Sequence, residues 1–190
     1  MGKSWSLPTY LFTACILLVS CVPNAVTYYQ PSMVGGTVKT GRCVPTKSVV
    51  QFTFWQPGAH PLHGTAYISS HGDKTTFFLN LSPFYSQTIA FTDERFRIVD
   101  SASHKDIEIV STSVYRDDGG TSLKQAYPIR KPGKPTRRVG AIFVGVSIAR
   151  THVRAMDVFI PRIVLDGKKA TLPPIHFRRT TWMGISPFNC

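Results

Sequence analysis

The feature that most limits the fold is an alternation of apolar and polar residues with a period of two, which recurs through most of the chain after residue 47. It is clear in residues 48–55, where Val50, Phe52 and Phe54 would share one face of a strand. In residues 141–149, the branched apolar residues Ile142, Val144, Val146 and Ile148 alternate with residues that are small except for Phe143. Successive side chains of a β-strand point to opposite faces, so the pattern predicts strands buried on one side.

The same alternation, with β-branched and aromatic residues, predicts further strands at residues 65–69, 75–81, 88–92, 95–99, 107–115, 158–165 and 171–177. Asp166-Gly167 lies between two apolar runs and predicts a tight hairpin. Helix is expected at most as one turn in residues 150–156. We therefore expect an all-β fold, an antiparallel β-sandwich of Ig-like architecture, without the Cys-Trp-Cys pattern of true immunoglobulin domains.

The N-terminal segment differs from everything that follows it. Lys3 is its one formal charge before Cys21, and the residues from Leu7 to Val19 are almost wholly apolar. As a helix these residues would measure roughly 20 Å, against roughly 30 Å of bilayer hydrocarbon. A basic start, a short apolar core and small residues at its end are typical of a secretory signal peptide.

This segment ends in Leu18-Val19-Ser20-Cys21, which resembles the lipobox of bacterial lipoproteins. The resemblance implies that the Cys21 thiol receives a diacylglycerol, that the chain is cut before Cys21, and that the new amine is acylated. In that family an Asp after the cysteine favours the inner membrane. Val22 stands there, so the resemblance implies an anchor in the outer membrane.

Three alternatives to lipidation at Cys21 remain open. The segment could stay uncleaved as an N-terminal helix, or be removed by ordinary secretory cleavage that leaves Cys21 a free thiol. Residues 1–6 also fit the N-myristoylation pattern M-G-x-x-x-[ST], although that pattern does not explain the apolar run behind it. On the lipoprotein interpretation, residues 1–20 are a removed signal peptide, 21–36 a lipidated tether, and 37–190 a single β-sandwich domain.

Two cysteines remain in the mature chain, Cys43 and Cys190, and we expect them to form a disulfide. Paired cysteines are usual in an oxidising compartment, and neither residue has the Cys-x-x-Cys spacing of redox sites. A chain-entropy argument gives such a long loop about 5 kcal/mol of stabilisation as an upper figure. The alternative is a reactive thiol.

Basic residues are concentrated in the C-terminal half. Residues 116–190 carry fourteen Lys and Arg against four Asp and Glu, whereas residues 21–115 carry seven against six. The densest group is a candidate anion-binding loop for anionic lipid or glycan, which Pro132, Gly133 and Pro135 keep extended. Its basic residues are Arg130, Lys131, Lys134, Arg137 and Arg138. A solvated loop is the simpler interpretation. Nucleic acid fits the charge but neither the export signal nor any known motif.

The histidines His60, His63 and His71 are the candidate metal ligands. Zinc needs three or four converging nitrogen or sulfur ligands. Residues three apart on a strand point to opposite faces, and Pro61 excludes a regular helix, so His60 and His63 are poorly spaced for one ion. A metal-binding or enzymatic module that uses these histidines is thus a rival hypothesis rather than the expected one.

Together these features predict a non-catalytic lipoprotein on the periplasmic face of the bacterial outer membrane. Its partners would be the membrane, through the acyl chains on Cys21, and an envelope protein. We expect no cofactor beyond that covalent lipid. A basic protein that binds anionic lipid or glycan through residues 130–138 is the second rival hypothesis.

Overall fold

The computed structural model describes residues 23–40, 48–58, 60–71, 74–83, 87–116, 127–128, 141–149 and 153–185. Within these ranges the chain forms β-strands and turns, with no helix. The strands of the described part are β1 Pro23–Ser32, β2 Gly36–Lys39, β3 Val49–Phe54, β4 Leu62–His71, β5 Lys74–Ser82, β6 Thr88–Phe91, β7 Arg97–Asp100, β8 Ile109–Arg116, β9 Tyr127–Pro128, β10 Ile142–Ala149, β11 Ala155–Phe159, β12 Ile163–Leu165, β13 Lys168–Ala170 and β14 Ile175–Ile185.

The strands form three sheets. The largest has the order β2-β3-β4-β5-β10-β8, the second β1-β14-β11-β7, and the third β13-β12-β6-β9. Every pairing between these strands is antiparallel. The prediction of an all-β antiparallel fold is therefore confirmed.

One face of the six-stranded sheet carries the core. Its cross-strand register places Val50, Ala66, Leu79 and Val144 in one row, and each of these side chains is at most 1% exposed. Phe77 of β5 contacts Phe177 of β14 edge to face, with ring centroids 5.8 Å apart. This contact joins the six-stranded sheet to the β1-β14-β11-β7 sheet, as expected for layers packed in a sandwich.

The prediction of a tether over residues 21–36 is wrong in its described part. Residues 23–32 form β1, which pairs with β14 along its whole length, from Pro23 opposite Ile185 to Ser32 opposite His176. The prolines argued against a strand, yet β1 lies at the edge of its sheet, where Pro31 can face away from the ladder. The ordered domain therefore begins at least as early as residue 23.

A second correction concerns residues 150–165. The single strand predicted over residues 158–165 is two strands, β11 and β12, which belong to different sheets. Pro161 lies between them and cannot donate a ladder hydrogen bond. The helical turn expected over residues 150–156 is not present in its described part, since β11 begins at Ala155. The strand predicted over residues 171–177 begins only at Ile175, as β14, because Pro173 and Pro174 precede it.

The Asp166-Gly167 hairpin is confirmed. It joins β12 to β13, and both of its residues have positive φ, 51° for Asp166 and 78° for Gly167. The turn is also fixed to β6, because Thr88 N donates to Asp166 Oδ1 at 2.8 Å and Asp166 N donates to Thr88 O at 2.9 Å. This turn therefore organises the third sheet as well as its own hairpin.

Gly167→Val is expected to lower the free energy of unfolding by about 1–2 kcal/mol, because a side chain in the left-handed region is strained. Urea unfolding followed by circular dichroism measures this. Lys169→Val, at an exposed position of the same strand β13, is the control and should change the midpoint little. Equal midpoints for the wild type and Gly167→Val would contradict the strain argument.

No helix in the described ranges has the length and apolar character that crossing a bilayer requires.

Candidate functional site

The outer face of the six-stranded sheet contains an open groove of about 690 Å³. It lies over β2, β3, β4 and β5, on the side opposite the core. The alternation explains its chemistry: the residues between the buried ones along each strand are mostly polar and point outward.

The register of the four strands arranges these polar side chains in two rows. One row consists of Thr37, Gln51, Thr65 and Asn80, which lie on four adjacent strands and span about 14 Å. The second row consists of Thr53, His63 and Ser82. Amides, hydroxyls and an imidazole can each donate and accept hydrogen bonds, so the floor suits a ligand rich in both functions.

An aromatic side chain completes the groove. Trp55 follows β3, lines the groove, and is 69% exposed. Large aromatic residues bury most of their area in ordinary cores, so a tryptophan this exposed is an unused contact surface. Within the second row, His63 Nδ1 and Thr53 Oγ1 are hydrogen-bonded at 3.0 Å, which fixes the imidazole on the groove floor.

One polar atom of the groove has no partner. Asn80 Oδ1 is inaccessible to water and makes no hydrogen bond. Leaving a buried acceptor unpaired costs about 1–3 kcal/mol. Because water does not reach this oxygen, a ligand gains a hydrogen bond from it only when the Asn80 side chain rotates toward the groove.

The sheet face beyond the groove is aromatic. Tyr67 and Phe78 are stacked with centroids 4.9 Å apart, and Tyr115 and Phe143 contact at 6.0 Å. Tyr115 is 64% and Phe143 44% exposed. Phe143 lies directly opposite Asn80 across β5 and β10, so the aromatic surface continues the first polar row.

The three candidate metal ligands do not converge. His63 and His71 lie eight residues apart on the continuous strand β4, which separates them by about 26 Å. The hypothesis of one metal site that uses His60, His63 and His71 is therefore wrong. Within the described ranges, no group of three or more His, Cys, Asp and Glu side chains is placed to hold a metal ion.

The structure adds an arrangement that the sequence did not indicate. His176 Nδ1 contacts Asp157 Oδ1 at 2.6 Å across β14 and β11, and the Ser101 hydroxyl donates to the same oxygen at 2.9 Å. A serine nucleophile needs its base within hydrogen-bond reach. Here the hydroxyl is bound to the carboxylate instead of the imidazole, so the trio has the geometry of a surface cross-strand cluster.

A tight turn follows β7 near this cluster. The Ala102 backbone amide, followed by the Ser103 hydroxyl, lowers the pKa of the Asp100 carboxyl by hydrogen bonding to the ionised form. The resulting stability is present above the unfolded pKa and is lost as the pH falls through the lowered folded pKa. The turn is therefore held by the ionised carboxyl at neutral pH.

The other predicted site residues lie outside the described part of the chain. They are the lipidation candidate Cys21, the cysteines Cys43 and Cys190, and the basic residues Arg130, Lys131, Lys134, Arg137 and Arg138. The lipid, the disulfide and the anion-binding loop therefore stay predictions.

The groove could not be predicted from the sequence, because none of its residues is unusual when it is considered singly. Gln51 and Thr53 could be assigned to the outer face from the alternation, but their neighbours Thr65, Asn80 and His63 come from other strands. The chain matches no protein-family model, and no curated protein or solved structure matches it significantly, so its residues and geometry are what indicate its function.

Proposed function

We propose that the protein is a lipid-anchored lipoprotein on the periplasmic face of the bacterial outer membrane, and a non-catalytic binding or structural component of the cell envelope. The observation that carries this proposal is the sequence Leu18-Val19-Ser20-Cys21 after a short apolar run. A small residue before the cut admits the peptidase, and only a thiol forms the thioether. Two or more acyl chains then anchor a protein stably, whereas one binds marginally.

The start of β1 supports a closely held domain rather than one on a long tether. Strand β1 begins at Pro23, two residues after Cys21. A lipid on Cys21 would therefore place the β1 end of the sandwich against the headgroups. The groove on the outer face of the six-stranded sheet supports a binding role, because Trp55 is exposed there and the floor carries hydroxyls, amides and an imidazole.

Lipidation is tested with Cys21→Ser. We expect this variant to lose labelled palmitate completely and to move from the membrane fraction, because serine cannot form the thioether. Ser20→Ala is the matched control: it keeps a small residue at the cut and should be labelled like the wild type. Labelling and fractionation of the whole chain in cells are the measurements.

The rival N-terminal modifications give different results in the same experiment. Label that persists in Cys21→Ser but disappears in Gly2→Ala would indicate N-myristoylation and contradict the proposal. An unlabelled wild-type protein whose N-terminal peptide begins at Cys21 as a free thiol would indicate ordinary secretory cleavage, and would contradict it equally.

A further inference from the structure

We propose that the groove over β2, β3, β4 and β5 binds the cell-wall glycan, a polymer of N-acetylated amino sugars. The inference rests on the proposed periplasmic location and names the ligand of that envelope protein. The features that carry it are the exposed Trp55, the hydroxyl and amide side chains of the floor, and the charge of the groove.

Trp55 has the surface that a sugar ring requires. A pyranose presents C–H groups on one face and polar groups around its rim. An indole offers a flat apolar face with negative potential, which attracts such C–H groups. Trp55 is 69% exposed at the groove, so this face is reachable without rearrangement of the sheet.

The floor matches the rim of an N-acetylated sugar. Gln51 and Asn80 lie in one row with Thr65 between them, so two amide side chains flank a hydroxyl across adjacent strands. A side-chain amide pairs with an acetamido group through one donor and one acceptor. Gln51 is the exposed amide of this row and is placed to make that pair, whereas the Asn80 oxygen is closed to water.

The charge of the groove excludes other ligand classes. Lys39 is its one cation among the described lining residues, and none of those residues is acidic. A divalent cation would find no carboxylate here, and nucleic acid would find one basic contact where phosphate binding needs several. A glycan whose amino sugars are uncharged and whose carboxylates are widely spaced fits a neutral floor with one lysine at its side.

The position of the groove excludes two further occupants. A peptide added as a strand would pair with the backbone edge of β2, whereas the hydrogen-bonding side chains of the two rows lie on the sheet face. A lipid surface requires an apolar face, but the two rows of the floor carry hydroxyls, amides and an imidazole.

The affinity test uses the full chain purified in detergent and titrated calorimetrically with a tetrasaccharide of N-acetylglucosamine. We expect the wild type to bind saturably. The affinity should fall at least tenfold in Trp55→Ala and in Gln51→Ala, both of which alter exposed side chains of the groove. Phe159→Ala, which removes a partly exposed aromatic from the other main sheet, should bind like the wild type. Absence of binding at millimolar tetrasaccharide, or equal binding by all variants, would overturn the proposal.

The identity of the sugar is tested with cellotetraose, which has the same backbone linkage without acetamido groups. We expect it to bind at least tenfold more weakly, and equal affinity would overturn the assignment. Isolated cell-wall sacculi should sediment the wild type but not Trp55→Ala, and a wild type left in solution would overturn the cell wall as the source.

These outcomes are separable from lipidation. Cys21→Ser purified in the same detergent should bind the tetrasaccharide like the wild type, because Trp55 and Gln51, which are proposed to hold the sugar, are unchanged. A wild type that binds the sugar but incorporates no palmitate would contradict the proposed lipid anchor and leave the groove proposal standing. A wild type that incorporates palmitate but does not bind the sugar would contradict the groove proposal and leave the lipid anchor standing.

Discussion

The Phe77→Ala variant is expected to lose about 3–5 kcal/mol of its free energy of unfolding. Phe77 lies on the central strand β5, is 1% exposed, and contacts Phe177 at 5.8 Å and Phe96 at 6.3 Å. Truncation would open a cavity where the six-stranded sheet meets the β1-β14-β11-β7 sheet. Because a domain is stable by only about 5–15 kcal/mol, this loss is a large fraction of the total.

The adjacent residue provides the control. Phe78 has the same side chain on the same strand, but it points to the outer face, is half-buried, and stacks on Tyr67. Phe78→Ala should cost about 1 kcal/mol, the usual contribution of a cross-strand pair. Urea unfolding of both variants compares the two faces of one strand. Equal losses would contradict the position of the core.

If Phe77→Ala does not fold, Phe77→Leu serves the same purpose. Leucine keeps the site apolar and fills much of it, so the variant should fold and lose less than the alanine variant. A Phe77→Leu variant as stable as the wild type, with Phe78→Leu destabilised, would reverse the assignment of inner and outer faces.

The alternation along single strands could be predicted because it depends only on neighbours in sequence. Val50 and Phe52 were assigned to the buried face, and both are at most 5% exposed. The Asp166-Gly167 turn was equally local, since its two residues tolerate the positive φ that the hairpin requires. These features fix where strands and turns form but not which strands become neighbours.

Pairing and register could not be read from the sequence. β1 and β14 are separated by most of the chain, and a proline-containing segment is a strand only because it has a long partner at a sheet edge. The groove has the same origin. Gln51, Thr65 and Asn80 form a row through the register of β3, β4 and β5, and no spacing in sequence indicates that they meet.

Gly64 shows that a glycine can lie inside a strand when a residue on the neighbouring strand packs over it. The sequence predicted a strand only over residues 65–69. A glycine inside a strand usually weakens it, because it has no side chain to pack. In the structure β4 begins at Leu62, and Gly64 lies opposite Phe52 of β3, whose ring covers it. An aromatic ring on the neighbouring strand thus supplies the packing that the glycine lacks.

Gly64→Ala is therefore expected to lower the free energy of unfolding by about 1–3 kcal/mol, because its Cβ would overlap the buried Phe52 ring and force that ring aside. The ring overlap is isolated by a double-mutant cycle with Phe52→Leu, measured by urea unfolding. Once the ring is gone, the added methyl fits. The double variant should thus lose about 0.5–3 kcal/mol less than the sum of the two single losses. Strictly additive losses would mean that the glycine is required for its backbone rather than for the space above it, and would contradict the ring-over-glycine packing.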